Sequence, residues 1–225
     1  MQMFPSKRTI CLAAVILGLL LCGCDDDERT IELELQSLAG ADSVMAGEAL
    51  QVRFGYMADT GRPFSFHRWE AIDDSTIALR VFLERDGDDE LIGAPALPTL
   101  GAVELLAAPT GPFRIVAGEL VLDVFGGAAS PRGNRLTIEL QEEGRPVPGL
   151  SLRLSMSGSS SEIELPPTDS RGMVTLLDAC ETASGMFWIN SAPDESHRVS
   201  TAAWWPPSCE QPQRLVTSVV SQRTF

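Results

Sequence analysis

At 225 residues, the chain has room for one large domain or two small ones, and 44% hydrophobic residues can build a sizeable core. Its formal net charge is -14. A surface this acidic repels phosphate backbones, so the composition argues against a nucleic-acid partner.

The N-terminus has the parts of a secretion signal in order. Lys7 and Arg8 precede an apolar run over residues 10–21, and Leu21-Cys22-Gly23-Cys24 then leads into the acidic residues 25–28. Crossing about 30 Å of hydrocarbon takes about 20 apolar residues, and this run is shorter. A cleaved signal therefore fits better than an uncleaved transmembrane helix.

Leu21-Cys22-Gly23-Cys24 resembles the lipobox of bacterial lipoproteins, although Cys22 stands where that family usually has Ala or Ser. In the family, the last cysteine receives diacylglycerol, the signal is removed before it, and the new amino group is usually acylated, for example with palmitate. The resemblance implies a signal peptide over residues 1–23, lipidation at Cys24 and an acidic tether over residues 24–30. Two or more acyl chains would anchor the protein stably to a membrane.

This resemblance predicts a location in the bacterial cell envelope, membrane-anchored by lipid and facing the periplasm or the cell surface. Asp25 and Asp26 are similar to an inner-membrane retention signal of enteric bacteria. That sorting rule differs between bacterial groups, so both membranes remain open. Loss of Lys7 and Arg8 with the signal would change the formal charge from -14 to -16.

The first half of the mature chain alternates apolar and polar residues, which predicts half-buried strands. Such runs cover residues 31–35, 50–56, 64–69, 77–83, 103–106, 113–116 and 120–125. Asp86-Gly87 predicts a tight hairpin turn after the fourth run, since both residues tolerate positive φ. Pro98 and Gly101 are predicted to interrupt the chain before the fifth run. We assign residues 31–126 to a first β-sandwich domain.

Small and polar residues over 127–133 have the composition of a flexible linker. A second series of alternating runs follows over residues 136–140, 150–156, 163–165, 173–177, 186–189 and 215–220. Many short strands separated by Gly and Pro turns are typical of sandwiches. The sequence therefore predicts an all-β fold of two consecutive Ig-like β-sandwich domains, the second over residues 134–225.

Two motifs of the second half resemble bacterial Ig-like domains of the invasin and intimin type, and also carboxypeptidase regulatory-like or transthyretin-like domains. They are Pro146-Val147-Pro148-Gly149-Leu150 and Thr168-Asp169-Ser170-Arg171-Gly172. In those families the first leads into a core strand and the second is a tight turn before the next strand. The resemblance implies a fold and no chemistry.

Cys180 and Cys209 are the even pair that remains after the signal and the anchor are set aside. Outside the reducing cytosol, such a pair predicts a structural disulfide. A two-cysteine metal or redox site is the alternative. Neither cysteine lies in a Cys-x-x-Cys, and neither has a histidine at ligand spacing.

No catalytic motif accompanies the two histidines, His67 and His197, because no recognisable nucleophile signature is present. The carboxylates of residues 86–90 are dense but lack EF-hand spacing, so a solvated hairpin tip explains them better than calcium. We therefore predict no enzyme, no catalytic residues, no metal and no cofactor. The remaining enzymatic hypothesis would use scattered carboxylates, namely Glu70, Asp73 and Asp74, where Asp73-Asp74 also has the composition of a turn.

Trp204 and Trp205 form the clearest candidate for a ligand or partner patch. Neighbours on a strand point to opposite faces, so at least one of the two side chains should lie outside a simple core. Core packing is the competing explanation, since large aromatic rings dominate core energetics. We expect a non-enzymatic envelope lipoprotein whose sandwiches bind or scaffold another envelope protein or polymer. The alternative is a carbohydrate-binding module that uses these two tryptophans of the second domain.

Overall fold

The computed structural model of the protein describes residues 30–58, 63–84, 97–128, 134–156, 162–179, 185–191, 197–205 and 212–221. Within these ranges the fold is all-β, as the alternating pattern predicted, with nineteen strands in four sheets. Three larger sheets build the body, and a small two-stranded sheet joins β16 (His197–Arg198) to β19 (Val220–Ser221).

The six-stranded sheet belongs to the first half of the chain. Its strands are β1 (Thr30–Glu32), β3 (Ser43–Met45), β5 (Phe66–Asp73), β6 (Thr76–Glu84), β8 (Gly111–Ala117) and β9 (Leu120–Gly127). β5 lies on one side of β6, and both β1 and β8 lie on the other side. β9 follows β8, and the short strand β3 closes this edge by pairing in parallel with the end of β9.

The seven-stranded sheet contains strands from both halves of the chain. They are β2 (Leu35–Ala41), β4 (Leu50–Ala58), β7 (Leu97–Leu105), β10 (Arg135–Glu142), β11 (Arg145–Pro146), β14 (Met173–Leu177) and β18 (Gln213–Ser218). The order is β7-β4-β2-β18-β10, with β11 and β14 both pairing to β10. One sheet therefore runs through both predicted halves.

The C-terminal strand β18 joins the halves. It pairs antiparallel with β2 and parallel with β10, so it sits between the first and second series of strands. Neighbouring residues of a strand point to opposite faces of a sheet. Val216 accordingly enters the core of the first half, whereas Leu215 enters the core of the second half.

The four-stranded sheet covers the second half. It consists of β12 (Leu152–Met156), β13 (Glu162–Leu165), β15 (Gly185–Ser191) and β17 (Ser200–Trp205), in the order β13-β12-β15-β17. All its pairings are antiparallel. β17 also lies close to β2, β4 and β7 of the seven-stranded sheet.

Two hydrophobic cores result from this arrangement. The first contains Leu38, Val52, Phe54, Tyr56, Phe113, Ile115 and Leu122, and the second contains Leu136, Ile138, Leu140, Leu152, Leu154, Phe187 and Ile189. Each set comes from alternate positions of its strands, so the period of two in the sequence selected the buried faces. The boundary at residues 127–133 and the Ig-like assignment of each half stay predictions.

The first predicted strand, over residues 31–35, is divided between two sheets. β1 pairs with β6, and β2 begins at Leu35 in the seven-stranded sheet. The two residues between them cross from one sheet to the other, and the N–H of Leu33 still donates to the carbonyl of Val81 at 2.8 Å. An unbroken alternating pattern therefore hides a change of sheet.

β7 is longer than predicted, because Pro98 and Gly101 lie inside it. Proline cannot donate to a ladder and is tolerated in edge strands, and β7 ends the order of its sheet. Gly101 faces Phe54 across the strand pair. A Cβ at position 101 would come within 2.5 Å of the Phe54 ring, so the ring occupies the space that a side chain would need.

The predicted hairpin at Asp86-Gly87 lies outside the described residues. A hairpin within the described residues joins the neighbouring strands β5 and β6, and its turn is at Asp74 and Ser75. The Asp73 carboxylate accepts hydrogen bonds from the N–H and the hydroxyl of Ser75 at 2.8 and 3.0 Å. The prediction of a turn at Asp73-Asp74 is thus confirmed.

The two motifs of the second half contact each other directly. The Thr168 hydroxyl donates to the carbonyl of Val147 at 2.8 Å and accepts from the N–H of Leu150 at 3.0 Å. Asp169 accepts from the N–H groups of Met173 and Arg171, and these bonds lower the pKa of its carboxyl below the ordinary 3.8. The predicted tight turn before the next strand is confirmed.

Candidate functional site

The predicted modification sites fall outside the part of the chain that the structure describes. The structure does not describe Cys24, Cys180 or Cys209, so lipidation of Cys24 and a disulfide between Cys180 and Cys209 stay predictions. Trp204 and Trp205 end β17, where the backbone pairs them with Met186 and Gly185. Their role as a ligand or partner patch also stays a prediction.

The structure gives the candidate catalytic groups local contacts. The His67 ring lies edge-on to the rings of Phe64 and Trp69, at centroid distances of 6.3 and 6.2 Å. Glu70 is ion-paired with Arg80 at 3.6 Å on an exposed strand face. Asp73 caps its own turn, and the Ser75 N–H lowers the pKa of its carboxyl. Among the described residues, no three His, Cys, Asp or Glu side chains cluster in a way that could hold a metal.

The strand registers define two ends of the body. Thr30, the last residue of the predicted tether, pairs with Glu84 at the end of β6, and we call this the anchor end. β6 starts at Thr76, opposite Arg114, and Phe125 lies two residues further along. At about 3.3 Å per residue, Phe125 is about 30 Å from the level of Thr30. We call this opposite end the distal end.

Exposed apolar side chains concentrate at the distal end. Seven large hydrophobic side chains of the described residues are exposed, and the registers place five of them at this end: Met45, Ile72, Leu106, Phe125 and Leu177. Met57 and Leu97 lie at the anchor end. Clustered exposed apolar residues mark interaction surfaces more often than scattered ones do.

Two open clefts lie at the distal end. The larger, about 550 Å³, is bounded by residues of β8 and β9 that include Pro112, Arg114, Asp123 and Phe125. The smaller, about 390 Å³, lies over β10 and β14 and is bounded by residues that include Arg135, Asp169, Arg171 and Leu177. Asp42 and Arg214 line both clefts. We call the two clefts together the distal trough.

Ion pairs organise the side chains of the distal trough. Arg114 Nε lies 3.2 Å from Asp123 Oδ1, a cross-strand pair between β8 and β9. Arg135 Nη2 lies 3.1 Å from Asp42 Oδ2. Exposed pairs of this kind contribute little to stability, about 0–1 kcal/mol each. Their main effect is to fix where the charged groups stand.

Arg214 stands between the two clefts and is largely buried, with 23% of its side chain exposed. Its Nη1 atom is 3.6 Å from Asp123 Oδ2 and 3.8 Å from Glu139 Oε2. These distances permit electrostatic attraction and exceed hydrogen-bond length. Its buried Nε has no hydrogen-bond acceptor among the described residues.

Gln141 connects Glu139 of this charged group to strand β9. Its side-chain amide accepts from the N–H of Val121 at 3.2 Å and donates to the Val121 carbonyl at 3.3 Å. It also donates to Glu139 Oε1 at 2.8 Å. The amide therefore makes the pair of bonds to β9 that a neighbouring strand would make, and it links the six-stranded sheet to β10.

The sequence patterns did not single out the distal trough. Phe125 and Leu177 ended predicted strands, and Arg214 and Gln141 stood beside predicted strands, with no motif around them. Registers between distant strands bring these residues together, and alternation carries no information about such registers. One sequence feature could have indicated this surface: an apolar residue on the otherwise polar face of a predicted strand, as at Phe125.

No protein-family model and no curated protein matches this chain. Within the described ranges, no helix combines the length and the apolar character that crossing a bilayer requires.

Proposed function

We propose that the chain is a lipid-anchored protein of the bacterial cell envelope, attached through acyl chains on Cys24 and without enzymatic activity. Its sandwich body binds or scaffolds another envelope protein through the distal end. The observation that carries this proposal is the uneven distribution of large exposed apolar side chains: of the seven among the described residues, five lie at the distal end. We further propose that the two halves are Ig-like sandwiches.

The geometry supports this proposal through the position of the tether. Five residues lie between Cys24 and Thr30, so the distance between these two residues is at most about 22 Å. The anchor end would therefore stay close to the bilayer, and the distal end would point away from it. Met, Phe and Arg are enriched at protein interfaces, and the distal end offers Met45, Phe125 and Arg114. Covering the exposed half of Phe125 contributes about 2 kcal/mol at about 25 cal/mol per Å².

Site-specific photo-crosslinking in the native envelope tests the interaction. A photoreactive residue at Phe125 should yield an adduct with one discrete protein. The matched control is Leu97, which is 51% exposed compared with 49% for Phe125 but lies at the anchor end. Adducts at both positions in equal yield, or none at Phe125, would contradict a distal binding surface.

The anchor and the absence of enzymatic activity have separate tests. Intact-mass measurement should find residues 1–23 removed and acyl chains on Cys24, and Cys24→Ala should leave the protein outside the membrane fraction. A free thiol on Cys24 would remove the envelope assignment. A broad hydrolase screen should give no activity, and a hit abolished by point substitution would overturn the non-enzymatic proposal.

Carbohydrate binding through Trp204 and Trp205 is the second candidate. It is supported by the place of both residues in β17, the last strand in the order of the four-stranded sheet. A glycan array should then give signals that the Trp204→Ala and Trp205→Ala variants lose. An array without signal would leave the protein-binding proposal alone.

A further inference from the structure

The distal trough has an unfilled hydrogen-bonding group at its centre. A guanidinium carries five N–H donors. The only described partners of Arg214 are the carboxylates of Asp123 and Glu139, at 3.6 and 3.8 Å from Nη1. The buried Nε has no acceptor among the described residues. Nε is closed to solvent, so a ligand oxygen in the clefts could reach only the terminal Nη groups. A hydrogen bond there would be favourable, because Nη1 lies beyond hydrogen-bond length from both carboxylates.

Apolar side chains stand at both sides of this centre. Phe125, 49% exposed, borders the cleft on the β9 side, and Leu177, 68% exposed, borders the cleft on the β14 side. The bonded hydroxyls of Thr137 and Thr175 line the way between Arg214 and Leu177. The distal trough thus runs from an apolar side chain through a polar centre to a second apolar side chain.

An extended peptide has the matching chemistry. Its carbonyl oxygens are hydrogen-bond acceptors, and its side chains alternate, so apolar anchors can flank a backbone contact. Among the described lining residues, Phe125 is the single exposed aromatic ring. An oligosaccharide would find one ring for stacking and a centre dominated by ion pairs.

The net charge of the protein indicates whether a bound peptide segment would be acidic or basic. The pairs Arg114–Asp123, Arg135–Asp42 and Arg171–Asp169 make the lining locally balanced. The chain as a whole carries -14, and this field favours the approach of a cationic partner.

We propose that the distal trough binds an extended, cationic segment of a partner protein. A backbone carbonyl of the segment accepts from Arg214, and an apolar side chain packs on Phe125. This inference rests on the proposed function, because it specifies the partner of the same distal surface.

The test uses the full-length protein in detergent micelles and a displayed library of random dodecapeptides. Enriched peptides should be basic and carry a large apolar residue. Labelled synthetic copies should bind at least about tenfold more weakly to Arg214→Gln and to Phe125→Ser, as losing a central contact predicts. Leu97→Ser, at the anchor end, should bind as the unmodified protein does. Added salt should weaken binding.

Several results would overturn the inference. They are a library without enrichment, acidic or neutral enriched peptides, and unchanged affinity in a Phe125→Ser variant that keeps the circular dichroism spectrum of the unmodified protein. A glycan-array signal that Phe125→Ser abolishes would assign the distal trough to sugars instead. Photo-crosslinks from Met45 that persist unchanged in Arg214→Gln would keep the proposed function and remove this site. Peptide binding that depends on Arg214, without any envelope crosslink, would keep the site and remove the proposed function.

Discussion

Replacing Gln141 by leucine tests whether a side-chain amide completes the edge of β9. The substitution keeps the volume and removes every polar atom of the side chain. It breaks the bonds to the N–H and carbonyl of Val121, at 3.2 and 3.3 Å, and the bond to Glu139 Oε1 at 2.8 Å. Gln141 is 5% exposed and Glu139 is 9% exposed, so water reaches these groups poorly.

The expected cost follows from these three bonds. A neutral hydrogen bond contributes about 1 kcal/mol net, and a bond to a charged group contributes about 1.5–3 kcal/mol. The two bonds to Val121 are long, which places them at the weaker end of that range. We therefore expect Gln141→Leu to lower the free energy of unfolding by about 3 kcal/mol, in part because Glu139 loses its donor.

Urea denaturation of the wild type and the variant, followed by circular dichroism, measures this difference. Hydrogen exchange gives a local readout, because the Val121 amide should lose protection in the variant. Gln51→Leu is the control: Gln51 is exposed on β4 and accepts one exposed hydrogen bond from Arg53, so its loss should lower stability by less than about 1 kcal/mol. Equal stability of Gln141→Leu and Gln51→Leu, with Val121 still protected, would refute the reasoning.

Three other substitutions or treatments have defined outcomes. Gly101→Ala should lower the free energy of unfolding by about 1–3 kcal/mol in the same denaturation assay, because its Cβ would meet the buried Phe54 ring. Two backbone N–H groups hold the pKa of Asp169 below its ordinary 3.8, so its stabilisation is present above that pH and disappears as the pH falls through the folded value. Asp169→Asn should therefore be less stable than the wild type at neutral pH, and the difference should shrink near pH 3. Alkylation under non-reducing conditions should leave Cys180 and Cys209 unmodified, and both should react after reduction; reaction without reduction would remove the predicted disulfide.

Single strands could be predicted well from the sequence, because alternation is a local property. Leu50, Val52, Phe54 and Tyr56 alternate with polar or small residues, and the structure buries these four in one core. The run over residues 173–177 matches β14. Turns were also predictable where a side chain defines them, as with Asp73, which bonds its own turn.

The errors of detail arise where tertiary context overrides local pattern. Pro98 lies in β7 because an edge strand has one side without a ladder. The run over residues 31–35 alternates without interruption, yet the chain changes sheets between Glu32 and Leu35. The alternating pattern predicts which face of a strand each residue lies on. It does not predict which sheet the strand joins.

The candidate site was not predictable from the same signals. Arg214 lies on β18, whereas Asp123 and Phe125 lie on β9, which is far from β18 in sequence, and none of the three belongs to a motif. They are neighbours because β9 packs against β2 and β18. A polar cluster of this kind exists only after the register of each strand is set.

The sequence by itself determined that the chain is all-β, which residues face inward and where several turns fall, because these depend on side-chain alternation and local hydrogen bonds. It also supports the prediction of a lipid anchor, which depends on a contiguous motif. The tertiary structure decided that β18 lies between β2 and β10, so that Leu215 and Val216 serve different cores. Strand pairing is non-local: any alternating segment can pair with many others, and only the closure of both cores at once selects the partners.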